Sequence, residues 1–199
     1  MDKPLLAVVG LQFLDYQPFS LELYPGEIVG LEGASGAGKS LFLRSLADLD
    51  PHRGQVFLED RGMESFAPWA WRKKVAYLPA ESSWWLDLVA EHFTDLDPAT
   101  LEALGLTPGL AKSPVTALST GERQRFAFAR ILQNQPQVFL LDEPTAALDP
   151  DNVKRFEGLL AELLAQSGAA VLMTSHDASQ LDRLAKRRYK VAHKSLSLR

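Results

Sequence analysis

The chain has 199 residues, enough for one domain with a sizeable core. Apolar residues at 46% and charged residues at 23% are ordinary globular proportions, and a formal charge of −4 leaves no basic footprint for nucleic acid. The absence of cysteine excludes disulfides and thiolate metal sites and fits a reducing compartment. The apolar run near residue 5 is too short for a signal peptide, and no run approaches the roughly 18 apolar residues of a membrane span, so any work at a membrane is expected to go through a partner.

Residues 5–14, LLAVVGLQFL, read as a first strand, and FSLEL at 19–23 alternates as a second. Pro25 and Gly26 then turn the chain into a buried apolar run, IVGL at 28–31. GASGAGKS at 33–40 fits the phosphate-binding pattern G-x-x-x-x-G-K-[ST] at each fixed position, and LFLRSL at 41–46 follows at helical spacing. Gly33, Gly36 and Gly38 let successive backbone amides turn towards phosphate oxygens, and the new helix adds its positive end at the same spot. Lys39 is placed to reach the β- and γ-phosphates and the Ser40 hydroxyl to ligate Mg2+.

After a turn at 51–54, strands are expected at 55–58 and 75–78, the latter ended by Pro79. PAESSWW at 79–85 then places Trp84 and Trp85 side by side. Either one packs inward while the other caps a small apolar cluster, or the pair anchors a partner. Residues 85–113 read as short helices broken by Pro98, Gly105 and Pro108, a small insertion between two parts of a sheet domain.

ALSTGERQ at 117–124 opens the next helix with a capping box from Ser119 to Glu122, and a helix start that exposes Ser and Gly is also an anion-binding surface. VFLL at 138–141 is a strand buried on both faces, delivering Asp142 and Glu143 at its carboxyl end. Two carboxylates so placed need a counter-charge: Mg2+ on Asp142 supplies it and leaves Glu143 free to orient or deprotonate a water. An amphipathic helix runs from Val153 to near Gly168, and AAVLMT at 169–174 is a further buried strand ending in Ser175, His176 and Asp177. From Arg183 onward the chain is basic, with Lys186, Arg187 and Arg188, and reads as a solvated face, with attraction to acidic lipid headgroups as a second reading.

In this order the motifs resemble those of the ATP-binding cassette (ABC) ATPases over nearly the whole chain: GASGAGKS as Walker A, ALSTGERQ as the signature, VFLLDEP as Walker B, AALD as the D-loop and TSH as the histidine switch. The resemblance implies an α/β fold, a P-loop NTPase core with a mainly parallel sheet, an N-terminal antiparallel β subdomain and a small inserted helical subdomain. It implies one nucleotide-binding domain over 1–199, with the core at 1–83 and 119–199 and the insertion at about 84–118. ATP would be held by Gly33, Ala34, Ser35, Gly36, Ala37, Gly38, Lys39, Ser40 and Leu41, and Mg2+ by Ser40 and Asp142. Glu143 and His176 would be catalytic. Two copies would pair head to tail, so that Ser119, Thr120, Gly121 and Glu122 meet the ATP of the partner copy.

The family's glutamine after the strand near residue 78 is replaced by Ala80, and Glu81 is the nearest polar candidate to stand in for it. Tyr16, beside Pro18 in a loop, is the choice over Phe13 for stacking on adenine. The resemblance implies an ATP-hydrolysing subunit that powers a transporter, cytoplasmic and peripheral on the inner face of the membrane, beneath integral-membrane subunits that dock on the insertion and the Trp84–Trp85 loop. The rival readings are a soluble ABC-type ATPase working on nucleic acid or ribosomes, which the acidic charge disfavours, and a P-loop small-molecule kinase, against which ALSTGERQ argues.

Overall fold

A computed structural model describes residues 3–199. β1 (Leu6–Gln12) and β2 (Phe19–Leu23) pair antiparallel, with Leu6, Val8, Leu21 and Leu23 buried. β3 (Ile28–Glu32) is apolar until its last residue and leads through the loop at 33–38 into α1 (Lys39–Leu46). The chain returns as β4 (Arg53–Leu58) and β5 (Arg61–Gly62), completing a four-stranded sheet in the order β2-β1-β4-β5. α2 (Pro68–Lys74) opens on a proline in its first turn, where the missing amide costs nothing, and runs directly into β6 (Val75–Leu78).

Residues beyond β6 form three short 3-10 turns and the small helix α3 (Pro98–Ala103). α4 (Thr120–Leu132), β7 (Val138–Leu141) and α5 (Pro150–Ser167) follow. Asp149 caps α5 through the amides of Asp151 and Asn152, and Gly168 ends it at φ 66°, the left-handed conformation that glycine adopts without steric cost. β8 (Ala170–Thr174), α6 (Ala178–Leu184), β9 (Arg187–Ala192) and β10 (Ser195–Leu198) close the chain.

The second sheet runs β10-β9-β3-β8-β7-β6, parallel except for the antiparallel β10. Its central strands are apolar on both faces because both are covered. Val29, Leu31, Val138, Leu140, Ala170 and Leu172 pack with α1 and the antiparallel sheet, while Ile28, Phe139, Leu141, Val171 and Met173 pack with α4 and α5. The register aligns Leu31 with Thr174, Met173 with Leu141 and Leu141 with Leu78, so β3, β8, β7 and β6 end on one edge. No helix among the described residues is long and apolar enough to cross a membrane.

The basic run near the C-terminus departs from the expected solvated face. It forms β9, where Arg187 pairs with Glu27 at 2.6 Å, and Arg188 with Glu32 at 2.9 Å and Asp182 at 2.6 Å. The pairing compensates both arginines and fastens β9 beside the strand that carries the phosphate loop. A compositional reading missed this because Glu27 and Glu32 lie about 160 residues away in sequence.

Arg125 ties the segment between β6 and α4 to the rest. Buried on α4, it donates to the carbonyls of Leu104 at 2.7 Å and Gly105 at 3.0 Å and to Asn152 Oδ1 on α5 at 2.9 Å. Arg125→Lys keeps the charge but loses the forked donor, and is expected to cost about 2 kcal/mol in urea denaturation.

Candidate functional site

The common edge of β3, β8, β7 and β6 opens into a cleft of about 340 Å³. Ser35, Gly36, Ala37, Gly38, Lys39, Ser40 and Leu41 line one side, and Ala80, Asp142, Glu143 and His176 the other. Gly33, Gly36 and Gly38 all have positive φ, at 157°, 75° and 92°. At Gly38 the requirement is also steric, since an added Cβ would lie 2.2 Å from the Tyr16 hydroxyl oxygen. The Lys39 ammonium donates to the carbonyls of Gly33 at 2.9 Å and Ala34 at 3.2 Å, which hold a buried cation inside the loop it serves.

Asp142 is only 3% exposed, and both its oxygens are engaged. Thr174 Oγ1 donates to Oδ1 at 2.8 Å, and the Tyr77 hydroxyl to Oδ2 at 3.1 Å. Thr174 Oγ1 in turn accepts from the amide of Glu143 at 2.9 Å. Burial, then the Asp142 charge, push the Tyr77 phenol above its usual range, so it stays a donor.

Glu143 adopts φ 48°, an uncommon conformation for a non-glycine residue. Its Oε2 accepts the His176 amide at 2.9 Å, and its buried Oε1 has no hydrogen-bond partner, although His176 Nε2 lies 3.3 Å away. The His176 ring is 64% exposed. A buried carboxylate oxygen without a donor, beside a phosphate loop and a second carboxylate, is suited to accept a proton or align a water.

Ser40 and Asp142 are hard oxygen donors on one cleft, a set that suits Mg2+ completed by phosphate and water oxygens.

Ser119, Thr120, Gly121 and Glu122 lie at the start of α4 and do not line this cleft. The capping box is present: Ser119 Oγ accepts the Glu122 amide at 3.2 Å, and Glu122 Oε2 accepts the Ser119 amide at 2.8 Å. The Ser119 hydroxyl and amide together hold the Glu122 carboxyl below its usual range. Gly121 is required by close approach, because a Cβ there would meet the Ala147 carbonyl at 2.8 Å.

The family model described as ABC transporter matches residues 16–146. The chain belongs to the ABC transporter family. Protein STAR1 of Oryza sativa subsp. japonica is 36% identical over 178 residues, which are 83% of this chain and 51% of that protein. The chain thus spans about half the length of that relative. The hemin import ATP-binding protein HmuV of Bordetella pertussis is 37% identical over 189 residues, 82% of this chain and 72% of that protein. A solved structure of an ATP binding subunit of an ABC transporter superposes with a TM-score of 0.87 at 21% identity, covering 98% of this chain and 90% of that one. HmuV is by name an ATP-binding protein, and the family that matches this chain is that of the ABC transporters.

Two expected residues of this ABC site are not where the sequence put them. Tyr16 is 8% exposed rather than an open platform: its ring stacks on Phe13 at a centroid distance of 4.4 Å, and its hydroxyl donates to the Ala37 carbonyl at 2.9 Å. It buttresses the phosphate loop from within the core. Beside it, a mainly apolar cleft, lined by Phe13, Leu14, Leu41 and Pro51 with Arg44, Ser45 and Asp50, shares Leu41 with the phosphate cleft. Glu81 is exposed and does not line the cleft, whose wall there is the methyl group of Ala80. Sequence reasoning missed Tyr77 and Thr174, whose signal was a single polar tip on each of two otherwise apolar strands.

Glu81→Ala is therefore expected to leave ATP turnover unchanged in a steady-state assay. Gly38→Ala is expected to abolish binding of a fluorescent ATP analogue, since backbone strain of about 1–3 kcal/mol adds to the collision with Tyr16.

Proposed function

We propose that this chain is an ATP-hydrolysing subunit that powers an ABC transporter, working as a head-to-tail dimer beneath separate membrane subunits. One observation carries the reading. The phosphate loop, Asp142, Glu143 and His176 share a cleft, while the anion-binding start of α4 lies outside it. A second copy turned head to tail would bring its Ser119 and Gly121 to this copy's ATP and close the site against water.

In this reading the chain is a single nucleotide-binding domain, with the short helices at about 84–118 as its inserted part. Lys39 leaves the Gly33 and Ala34 carbonyls for the β- and γ-phosphates, and the backbone amides of 36–40 hold the same oxygens. Ser40 and Asp142 would hold Mg2+, which when bound screens the phosphate charge. Glu143 takes a proton from the attacking water or aligns it, and His176 turns its exposed ring to the γ-phosphate. With Tyr16 committed to the loop, the base is assigned to the apolar cleft beside Leu14 and Pro51.

The membrane subunits are assigned to the surface around Trp84 and Trp85. Trp85 is 69% exposed, with Leu86 and Leu88 also exposed beside it, while Trp84 is half-buried against the apolar cluster of the insertion. The subunit would thus sit on the cytoplasmic face of the membrane.

Glu143→Gln is expected to lower hydrolysis at least about 100-fold while ATP binding persists, and to elute as an ATP-dependent dimer in size-exclusion chromatography. Affinity capture from detergent-solubilised membranes is expected to recover a stoichiometric integral-membrane protein, and Trp85→Ala to reduce that recovery. Recovery of nucleic-acid or ribosomal partners alone would overturn the transport assignment and leave the ATPase chemistry standing.

A further inference from the structure

Ala80 lines the nucleotide cleft with a methyl group, which can neither ligate a cation nor orient a ligand that does. The groups that fix Asp142 in this chain stand elsewhere. Asp142 directly follows β7, and the strands on either side each send one hydroxyl to it: Tyr77 from β6 at 3.1 Å and Thr174 from β8 at 2.8 Å. Each oxygen accepts one hydrogen bond and retains a lone pair. The carboxylate is gripped from both flanks and can no longer rotate freely about its last bond.

The two grips differ in what lies behind them. Thr174 is wholly buried and also accepts the Glu143 backbone amide, so it ties the Asp142 carboxylate to the backbone of the next residue. Tyr77 belongs to the strand that runs into Pro79 and Ala80, and the Pro79 carbonyl accepts the side-chain amide of Gln124 on α4 at 2.9 Å. An unbroken path of covalent and hydrogen bonds therefore runs from the carboxylate through Tyr77 to the turn at residue 79, and on to the helix that Ser119 caps.

We infer that Tyr77 is a positioning residue for the metal-binding carboxylate, holding Asp142 in the orientation that receives Mg2+ and doing so from the strand that leads to the Trp84–Trp85 loop. The inference rests on the reading of Asp142 as the cation's ligand. It assigns to a phenol on β6 an orienting task for which residue 80 offers only a methyl group. Partners of metal ligands act in this way by removing the ligand's freedom to turn away, and their loss typically costs about 10- to 100-fold in metal affinity or activity.

The test is Mn2+ binding, followed by electron paramagnetic resonance, to the full chain carrying a non-hydrolysable ATP analogue. Tyr77→Phe keeps the ring that packs in the core and removes only the hydroxyl. It is expected to weaken Mn2+ about 10-fold, to leave the analogue's affinity in EDTA and the melting temperature unchanged, and to recover turnover at saturating Mg2+. Asp142→Asn separates the inference from its foundation. Normal Mn2+ affinity in Tyr77→Phe with loss in Asp142→Asn overturns the role of Tyr77 alone. Normal affinity in both overturns the assignment of Asp142 and the inference with it. A fall in analogue affinity in EDTA equal to the fall for Mn2+ also overturns it, since the hydroxyl would then be shaping the pocket as a whole.

Discussion

Two adjacent carboxylates at the end of a strand buried on both faces set the problem that this part of the fold solves. Without compensation, Asp142 and Glu143 would repel one another and suffer desolvation together. The flanking strands answer for Asp142 with the hydroxyls of Tyr77 and Thr174. Glu143 is turned aside by a left-handed backbone conformation and held through one oxygen by the His176 amide. Its other oxygen is left buried and without a donor. That unsatisfied atom is a cost to the folded state, and it is the atom to which the proposed function gives the attacking water.

The phosphate loop is pre-formed by a comparable balance. Its glycines take positive φ, Lys39 rests on two loop carbonyls, and Tyr16 supports Ala37 from below while filling the space that a side chain at Gly38 would need. The core thereby reaches the ligand-binding loop through one aromatic ring: Tyr16 stacks on Phe13, which packs against Phe19 and Phe42. Packing in the antiparallel sheet and geometry at the phosphates are thus coupled.

The Trp84–Trp85 segment is organised differently, around a neutral histidine. His92 Nε2 accepts the amides of Trp85 and Leu86, each at 3.1 Å, so the proton sits on Nδ1, which donates to the Leu88 carbonyl at 3.1 Å. Both indoles meet the His92 ring edge-on, and the Arg130 guanidinium lies over both at 4.5 and 4.8 Å. Of this pair, Trp84 packs inward, as one reading of the sequence expects, and Trp85 remains exposed.

The amino-acid sequence by itself determined the elements whose signals are local. The phosphate loop, the apolar runs of β3, β7 and β8, the Ser119–Glu122 capping box and the α5 helix ending at Gly168 each follow from residues within one or two turns of each other. α2, α6, β9 and β10 were not anticipated, because PWAWRKK and the basic C-terminal run carry mixed periodicity and find their partners only across the fold. Tyr16 was taken for an open aromatic because loop composition is local, whereas burial depends on Phe13 and on the loop at 37–38. Glu81 was chosen by nearness along the chain, whereas the direction of a side chain after β6 is fixed by the turn at Pro79 and its tie to Gln124. Tyr77 and Thr174 acquire their meaning only when β6, β7 and β8 lie side by side in register, since a hydrogen bond spanning 65 residues leaves no trace in spacing and exists only once the sheet has formed.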